Sequence, residues 1–107
     1  MFSYTKFENI TIPNTITTIG NSVFMYCYKL KNITLPENLS SIGTGVFYGW
    51  SCITEINLPI NITSIPAHTF YSCEGLTKIT IPQNIISIGA SAFSGCDKIS
   101  SIIIPVD

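Results

Sequence analysis

The sequence predicts a repeat solenoid: short parallel β-strands stacked one per coil, mostly strand and irregular chain with little helix. Three observations predict it. An Ile-Pro or Leu-Pro pair recurs at Pro13, Pro36, Pro59, Pro82 and Pro105, spaced by 23 residues each time. A fixed period in this range marks supersecondary units that bury their apolar faces only against one another. Aliphatic and aromatic residues fall at the same places in every copy. The pattern before each proline alternates apolar and polar, the period of a half-buried strand.

Aligned on the prolines, the copies follow the frame LxxIxIPxxIxxIGxxxFxxCxx. Its opening rows are Phe7/Leu30/Ile53/Leu76/Ile99, Ile10/Ile33/Ile56/Ile79/Ile102 and Ile12/Leu35/Leu58/Ile81/Ile104, and all three are expected to point inward. Stretches such as Ile33-Thr34-Leu35 are the strands. Proline after each strand lacks an N–H and fixes φ, so pairing stops there and the chain turns. Strands one coil apart can only run parallel, roughly 4.8 Å apart. Five copies therefore predict one sheet on the order of 20 Å high.

Two further aliphatic rows, Ile16/Leu39/Ile62/Ile85 and Ile19/Ile42/Ile65/Ile88, lead into turns at Gly20, Gly43 and Gly89, with Pro66 at the equivalent place. The turn must then tolerate negative φ there. The aromatic row Phe24/Phe47/Phe70/Phe93 closes the core on the back, in a segment too short for a regular helix; a helical turn or 3₁₀ piece is expected. The domain organisation is one array over residues 1–107, about four full repeats with partial ends.

These residues resemble a known family. Leu30, Ile33 and Leu35 open a leucine-rich repeat, and the 23-residue form with proline after the strand is similar to the BspA-like, Treponema-type subclass. Ala92-Phe93-Ser94-Gly95-Cys96 matches the subclass motif AFxGC. The resemblance implies an α/β-type leucine-rich repeat fold and a non-enzymatic, protein-binding module of an adhesin-like protein displayed at a cell surface. It also implies an asparagine ladder bonded to turn backbone at Asn38, Asn61 and Asn84. The alternative is a structural unit that stacks on itself or belongs to a longer array without a ligand of its own.

Composition narrows the partners. Charged residues are 10% of the chain and the formal net charge is −1, against about 25% charged in ordinary domains. Five Lys plus Arg give no basic stripe for phosphate, so nucleic acid is not an expected partner. Apolar residues are dealt out periodically, without the 18-residue run of a membrane span. The first residues lack the basic and apolar regions of a secretory signal, so localisation rests on the resemblance alone. No capping segment is visible, which suggests end-to-end self-association through the uncapped coils.

No catalytic, cofactor or metal site is expected. His68 is the only histidine, in a row with Ser22, Gly45 and Ser91 that reads as exposed, and no nucleophile and base repeat together. Paired CxxC ligands are missing. Cys27, Cys73 and Cys96 share one row with Trp50, while Cys52 stands two residues out of register; they read as free thiols suited to an interior row. Asn9, Asn32, Asn38 and Asn61 begin NxS/T sequons, as chance alone produces in a chain rich in Asn, Ser and Thr.

Two surfaces can bind a protein ligand. The strand face presents Asn9, Asn32, Glu55 and Lys78 in one row and Thr11, Thr34, Asn57 and Thr80 in the next. The back carries Tyr48, Trp50 and Tyr71 beside Met25, Tyr26 and Tyr28; these rings either anchor a partner or lie over the coil below and seal the core. The indole of Trp50 is bulkier than the thiols of its row, so it is expected to be displaced outward beside Tyr48 and Tyr71.

Overall fold

The structure, a computed structural model, describes residues 7–103. Each coil supplies a three-residue strand before its proline: β1 (Asn9–Thr11), β3 (Asn32–Thr34), β5 (Glu55–Asn57), β7 (Lys78–Thr80) and β9 (Ser101–Ile103). A two-residue strand follows in four of them: β2 (Thr18–Ile19), β4 (Ser41–Ile42), β6 (Ser64–Ile65) and β8 (Ser87–Ile88). All pairing is parallel and in the register of the repeat, Ile10 beside Ile33 and Ile56 beside Ile79. Ile104 and Pro105 of the last copy, like the stretch before Phe7, lie outside the described residues.

The expected single sheet is split. β1 pairs with β3, and β5, β7 and β9 form a second sheet; β2 with β4 and β6 with β8 repeat the same division. Both breaks fall between the second and third coils. Just before them stands an altered turn. Leu30 N–H bonds to Cys27 C=O, Leu76 to Cys73 and Ile99 to Cys96, but the coil that carries Trp50 lacks the equivalent bond from Ile53 among the described residues. The turn that carries an indole in the thiol row is thus the open one, and the next strand, β5, does not pair with β3.

Across the back the coils stay joined. Ser22, Phe24 and Tyr26 donate N–H to the carbonyls of Thr44, Val46 and Tyr48; Gly45, Phe47 and Gly49 donate to Ala67, Thr69 and Tyr71; His68, Phe70 and Ser72 donate to Ala90, Ala92 and Ser94. Alternate N–H groups thus point at the next coil, and no helix forms among the described residues. The expected helical turn is replaced by single turns, such as Tyr48 N–H to Gly45 C=O. The reason is the left-handed backbone of two positions per coil, Ser22/Gly45/His68/Ser91 and Tyr26/Gly49/Ser72/Gly95, with φ of 57 to 81°. A helix cannot propagate through such residues.

Those positions, not Gly20, Gly43 and Gly89, take positive φ. Gly43 is needed for close approach: a Cβ there would sit 2.5 Å from the backbone nitrogen of Asn21. Pro66 fits its turn because nothing there asks for positive φ. The asparagine ladder is also absent. Asn38, Asn61 and Asn84 are exposed, and main-chain bonds such as Leu39 N–H to Pro36 C=O close their turns. Among the described residues the asparagines that do bond across coils are Asn32 and Asn9, Nδ2 to Oδ1 at 2.8 Å, and Asn21, whose Oδ1 accepts from Thr44 N–H at 2.8 Å.

The core is a column of like side chains. Phe24, Phe47, Phe70 and Phe93 stack with centroids 6.2, 5.4 and 5.4 Å apart and planes within 21°. Around them lie Leu30, Leu39, Ile42, Ile62, Ile65 and Leu76, all buried. Members at either end of the described columns are uncovered instead: Phe7, Ile16, Ile88 and Ile102 are exposed, because a residue in a stack is buried by its neighbours above and below. Phe47→Ala, in the middle of the aromatic column, should lower unfolding free energy by about 3–5 kcal/mol. Chemical denaturation measures it, and an unchanged midpoint would place the ring outside the core.

Candidate binding faces

The strand face is built by alternation. In each three-residue strand the central isoleucine points inward and its neighbours outward, so Asn9, Thr11, Asn32, Thr34, Glu55, Asn57 and Lys78 are exposed and Thr80 is partly so. Ion pairs cross adjacent coils along its edge: Lys31 Nζ lies 3.1 Å from Glu8, and Lys78 Nζ 3.9 Å from Glu55. The Glu8 bond holds the Lys31 ammonium above its ordinary pKa. Both pairs are solvent-exposed and contribute little to stability.

The break divides this face. Between β3 and β5 runs a cleft of about 310 Å³, lined by Asn32, Ile33, Thr34, Leu35, Glu55, Ile56 and Asn57. A second hollow of about 460 Å³ continues it past the prolines, between Glu37-Asn38 and Pro59-Asn61. Sequence reasoning missed both. The only signal was Trp50 in a cysteine row, whose consequence for the neighbouring strand no periodicity reveals. A third cavity, about 320 Å³ and lined by Ile10, Ile12, Ile16, Ile19 and Phe24 among others, is the first coil's core column seen from its end.

On the back, Tyr48 and Tyr71 come together as expected, stacked at 4.7 Å and 18°. Tyr26 meets Tyr48 edge-on at 5.4 Å and Tyr28 at 5.6 Å. His68, read from sequence as exposed, is half-buried and packs 5.4 Å from Tyr71. The Tyr26 ring lies over Gly49, where a Cβ would come within 2.5 Å of a ring carbon. Tyr48 with Tyr71 and Tyr26 with Tyr28 are the stacked pairs, and Tyr28 is exposed. Burial, reinforced by Tyr26, pushes the Tyr48 phenol above its ordinary pKa.

Trp50 does not join them. It is fully buried, 4.5 Å from Phe47 and 6.3 Å from Phe24, which removes it from the candidate binding residues. The expectation of outward displacement treated the thiol row as a closed slot. The row is defined by a hydrogen bond. Trp50 Nε1–H donates to Phe24 C=O at 2.7 Å, as Cys73 Sγ does to Phe47 C=O at 3.1 Å and Cys96 Sγ to Phe70 C=O at 2.9 Å. A buried indole needs such a partner, and the carbonyl one coil back supplies it.

The thiols differ in setting. Cys27 and Cys73 are buried, Cys96 is half-buried and Cys52 is exposed, all four reduced. Side-chain hydrogen bonding between the Cys73 and Cys96 thiols raises the pKa of Cys73, aided by burial, and lowers that of Cys96. Among the described residues no group of His, Cys, Asp or Glu could hold a metal ion, and no helix is long and apolar enough to cross a membrane.

Over residues 1–107 the sequence matches the family model for the BspA type leucine rich repeat region, in six copies. A leucine-rich repeat protein of T. pallidum is 28% identical and superposes with a TM-score of 0.85 over 89% of this chain and 44% of its own. A leucine-rich cell surface protein of Faecalibacterium prausnitzii is 26% identical, with a TM-score of 0.71 over 96% and 33%. A leucine-rich repeat protein of Eubacterium ventriosum is 25% identical, with a TM-score of 0.70 over 96% and 34%. This chain therefore spans less than half the length of each. No curated protein matches it.

Two outcomes follow from the thiol row. Trp50→Ala should cost about 3–5 kcal/mol, read by denaturation; a variant as stable as wild type would return the indole to the surface. Iodoacetamide at neutral pH should modify Cys52, which is exposed, and Cys96, which is half-buried with a lowered pKa that favours its thiolate, in the folded protein. Cys27 and Cys73 should react only on unfolding. Peptide mapping by mass spectrometry checks this, and equal labelling of Cys73 and Cys96 would contradict it.

Proposed function

The chain belongs to the BspA-type leucine-rich repeat family, and on that premise we propose that it is a non-enzymatic protein-binding module of a surface-displayed, adhesin-like protein, acting through its strand face. The observation that carries the reading is the lattice of outward side chains on β1, β3, β5 and β7: mostly exposed, in register within each half of the parted face, rich in amide and hydroxyl groups, and charged only at Glu55 and Lys78. A rigid polar face of this kind offers hydrogen bonds at fixed positions with little ordering entropy to lose on binding. On the back face Tyr48 stacks on Tyr71 and meets Tyr26 edge-on, packing that favours a seal over the core. Cell-surface display rests on the F. prausnitzii relative, described as a leucine-rich cell surface protein.

The test is to select binders from a displayed library of small folded domains on the immobilised chain. Each is then measured against a strand-face variant, Thr34→Arg with Thr80→Arg, and a back-face variant, Tyr48→Ala with Tyr71→Ala. Selected binders should lose at least about tenfold in affinity on the first, with only minor change on the second. Affinity should change little with salt, since few charges are there to be screened. Binders that lose affinity only on the tyrosine variant would move the site to the back.

A further inference from the structure

We propose that the break between β3 and β5 is a docking slot for an extended segment of a partner protein, which adds as a strand and carries a basic side chain toward Glu55. This deepens the strand-face reading and rests on it. At every other described junction the coils join by the same main-chain bonds. Ile12 N–H reaches Thr34 C=O, Leu58 reaches Thr80 and Ile81 reaches Ile103; Asn32 N–H reaches Glu8 C=O, Lys78 reaches Thr54 and Ser101 reaches Thr77. The equivalents at the break, Leu35 N–H to Asn57 C=O and Glu55 N–H to Lys31 C=O, are not made. Two strand edges therefore face each other across the cleft with donors and acceptors unpaired, the chemistry that an added strand satisfies.

The occupant's character follows from the walls. A cleft of about 310 Å³ has the space of roughly ten waters, enough for a few residues of extended chain but not for a helix or a folded loop. Glu37 and Glu55 are the charged side chains among the residues lining the two hollows, and the ion pair that Glu55 makes is long and exposed. Glu55 has its nearest base, Lys78, at 3.9 Å on the far strand. That far strand also shows what fits: Lys78–Thr80 pairs with the opposite edge of β5 and sets its lysine against Glu55. A segment of the same grammar, a base followed by aliphatic and hydroxyl residues in alternation, complements the free edge.

The probe is the capped peptide acetyl-Leu-Thr-Lys-Ile-Thr-Ile-amide, the sequence of residues 76–81, carrying a fluorophore for anisotropy titration. Its affinity is compared for wild type and for Thr34→Cys with Asn57→Cys, made in a Cys52→Ser background that keeps Glu55. These positions are 23 residues apart, as paired residues are elsewhere, and a disulfide forms only when the two edges close to within about 7 Å between Cα atoms, so oxidation holds the slot shut. Saturable binding should weaken at least about tenfold on oxidation and return on reduction. A peptide N-methylated at both isoleucines, lacking two backbone donors, should weaken as much on wild type, a comparison that stands even if the variant fails to fold or cross-link. Equal binding by the oxidised and reduced forms, an unimpaired methylated peptide, or no saturable binding up to about 1 mM overturns strand addition. The strand-face reading survives separately if library-selected binders still hold the oxidised variant and lose affinity on Thr34→Arg with Thr80→Arg. Peptide released as the protein itself dimerises would assign the slot to a second copy and overturn a foreign partner.

Discussion

Main-chain hydrogen bonding between coils one repeat apart is the constraint from which the rest of the molecule follows. A coil without a helix has no internal ladder, so its N–H and C=O groups must find partners in the next coil. A constant period of 23 residues lets them, and an insertion of one residue would shift every later side chain out of its row. The left-handed positions on the back are part of the same solution. They turn alternate N–H groups toward the following coil, at a backbone cost of about 1–3 kcal/mol each where the residue is not glycine. Tyr26 and His68 carry that cost while their rings pack in the tyrosine cluster, which places a local strain where packing offsets it.

Side-chain bonds follow the main chain in the cysteine row. Trp50, Cys73 and Cys96 each donate to the carbonyl of the aromatic row one coil back, so two chemically different residues serve one position by making one bond. The substitution also marks the break. The turn after Trp50 is open, and the strands that follow do not pair with the preceding coil, whereas the back ladder continues unbroken through the same coil. The array is hinged on its aromatic spine and parted on its strand face. A feature of the core thus marks where the surface that binding would use is parted.

Much of this was legible in the sequence because a period fixes both fold and register: the strands, their parallel pairing and the phenylalanine column all fall where the frame places them. The misses share a cause. Trp50 was assigned by volume, whereas a donor aimed at a carbonyl decides its place. The asparagine positions were assigned by resemblance, whereas main-chain bonds already close those turns. Gly43 was assigned to a turn, whereas it makes room for the backbone of Asn21. His68 was assigned to an exposed position, whereas its ring packs beside Tyr71. The parting of β3 from β5 needs the geometry of one turn, which no row of aligned letters contains.

Amide hydrogen exchange resolved by residue tests the hinged arrangement most directly. With the back ladder intact and the strand face parted, the amides of Phe47 and Gly49, bonded to Thr69 and Tyr71, should be strongly protected. Those of Leu35 and Glu55 should exchange near the rate of open chain, while their counterparts Leu58 and Lys78 stay slow. Protection of Leu35 and Glu55 equal to that of Leu58 and Lys78 would mean that the sheet is continuous and that the slot does not exist.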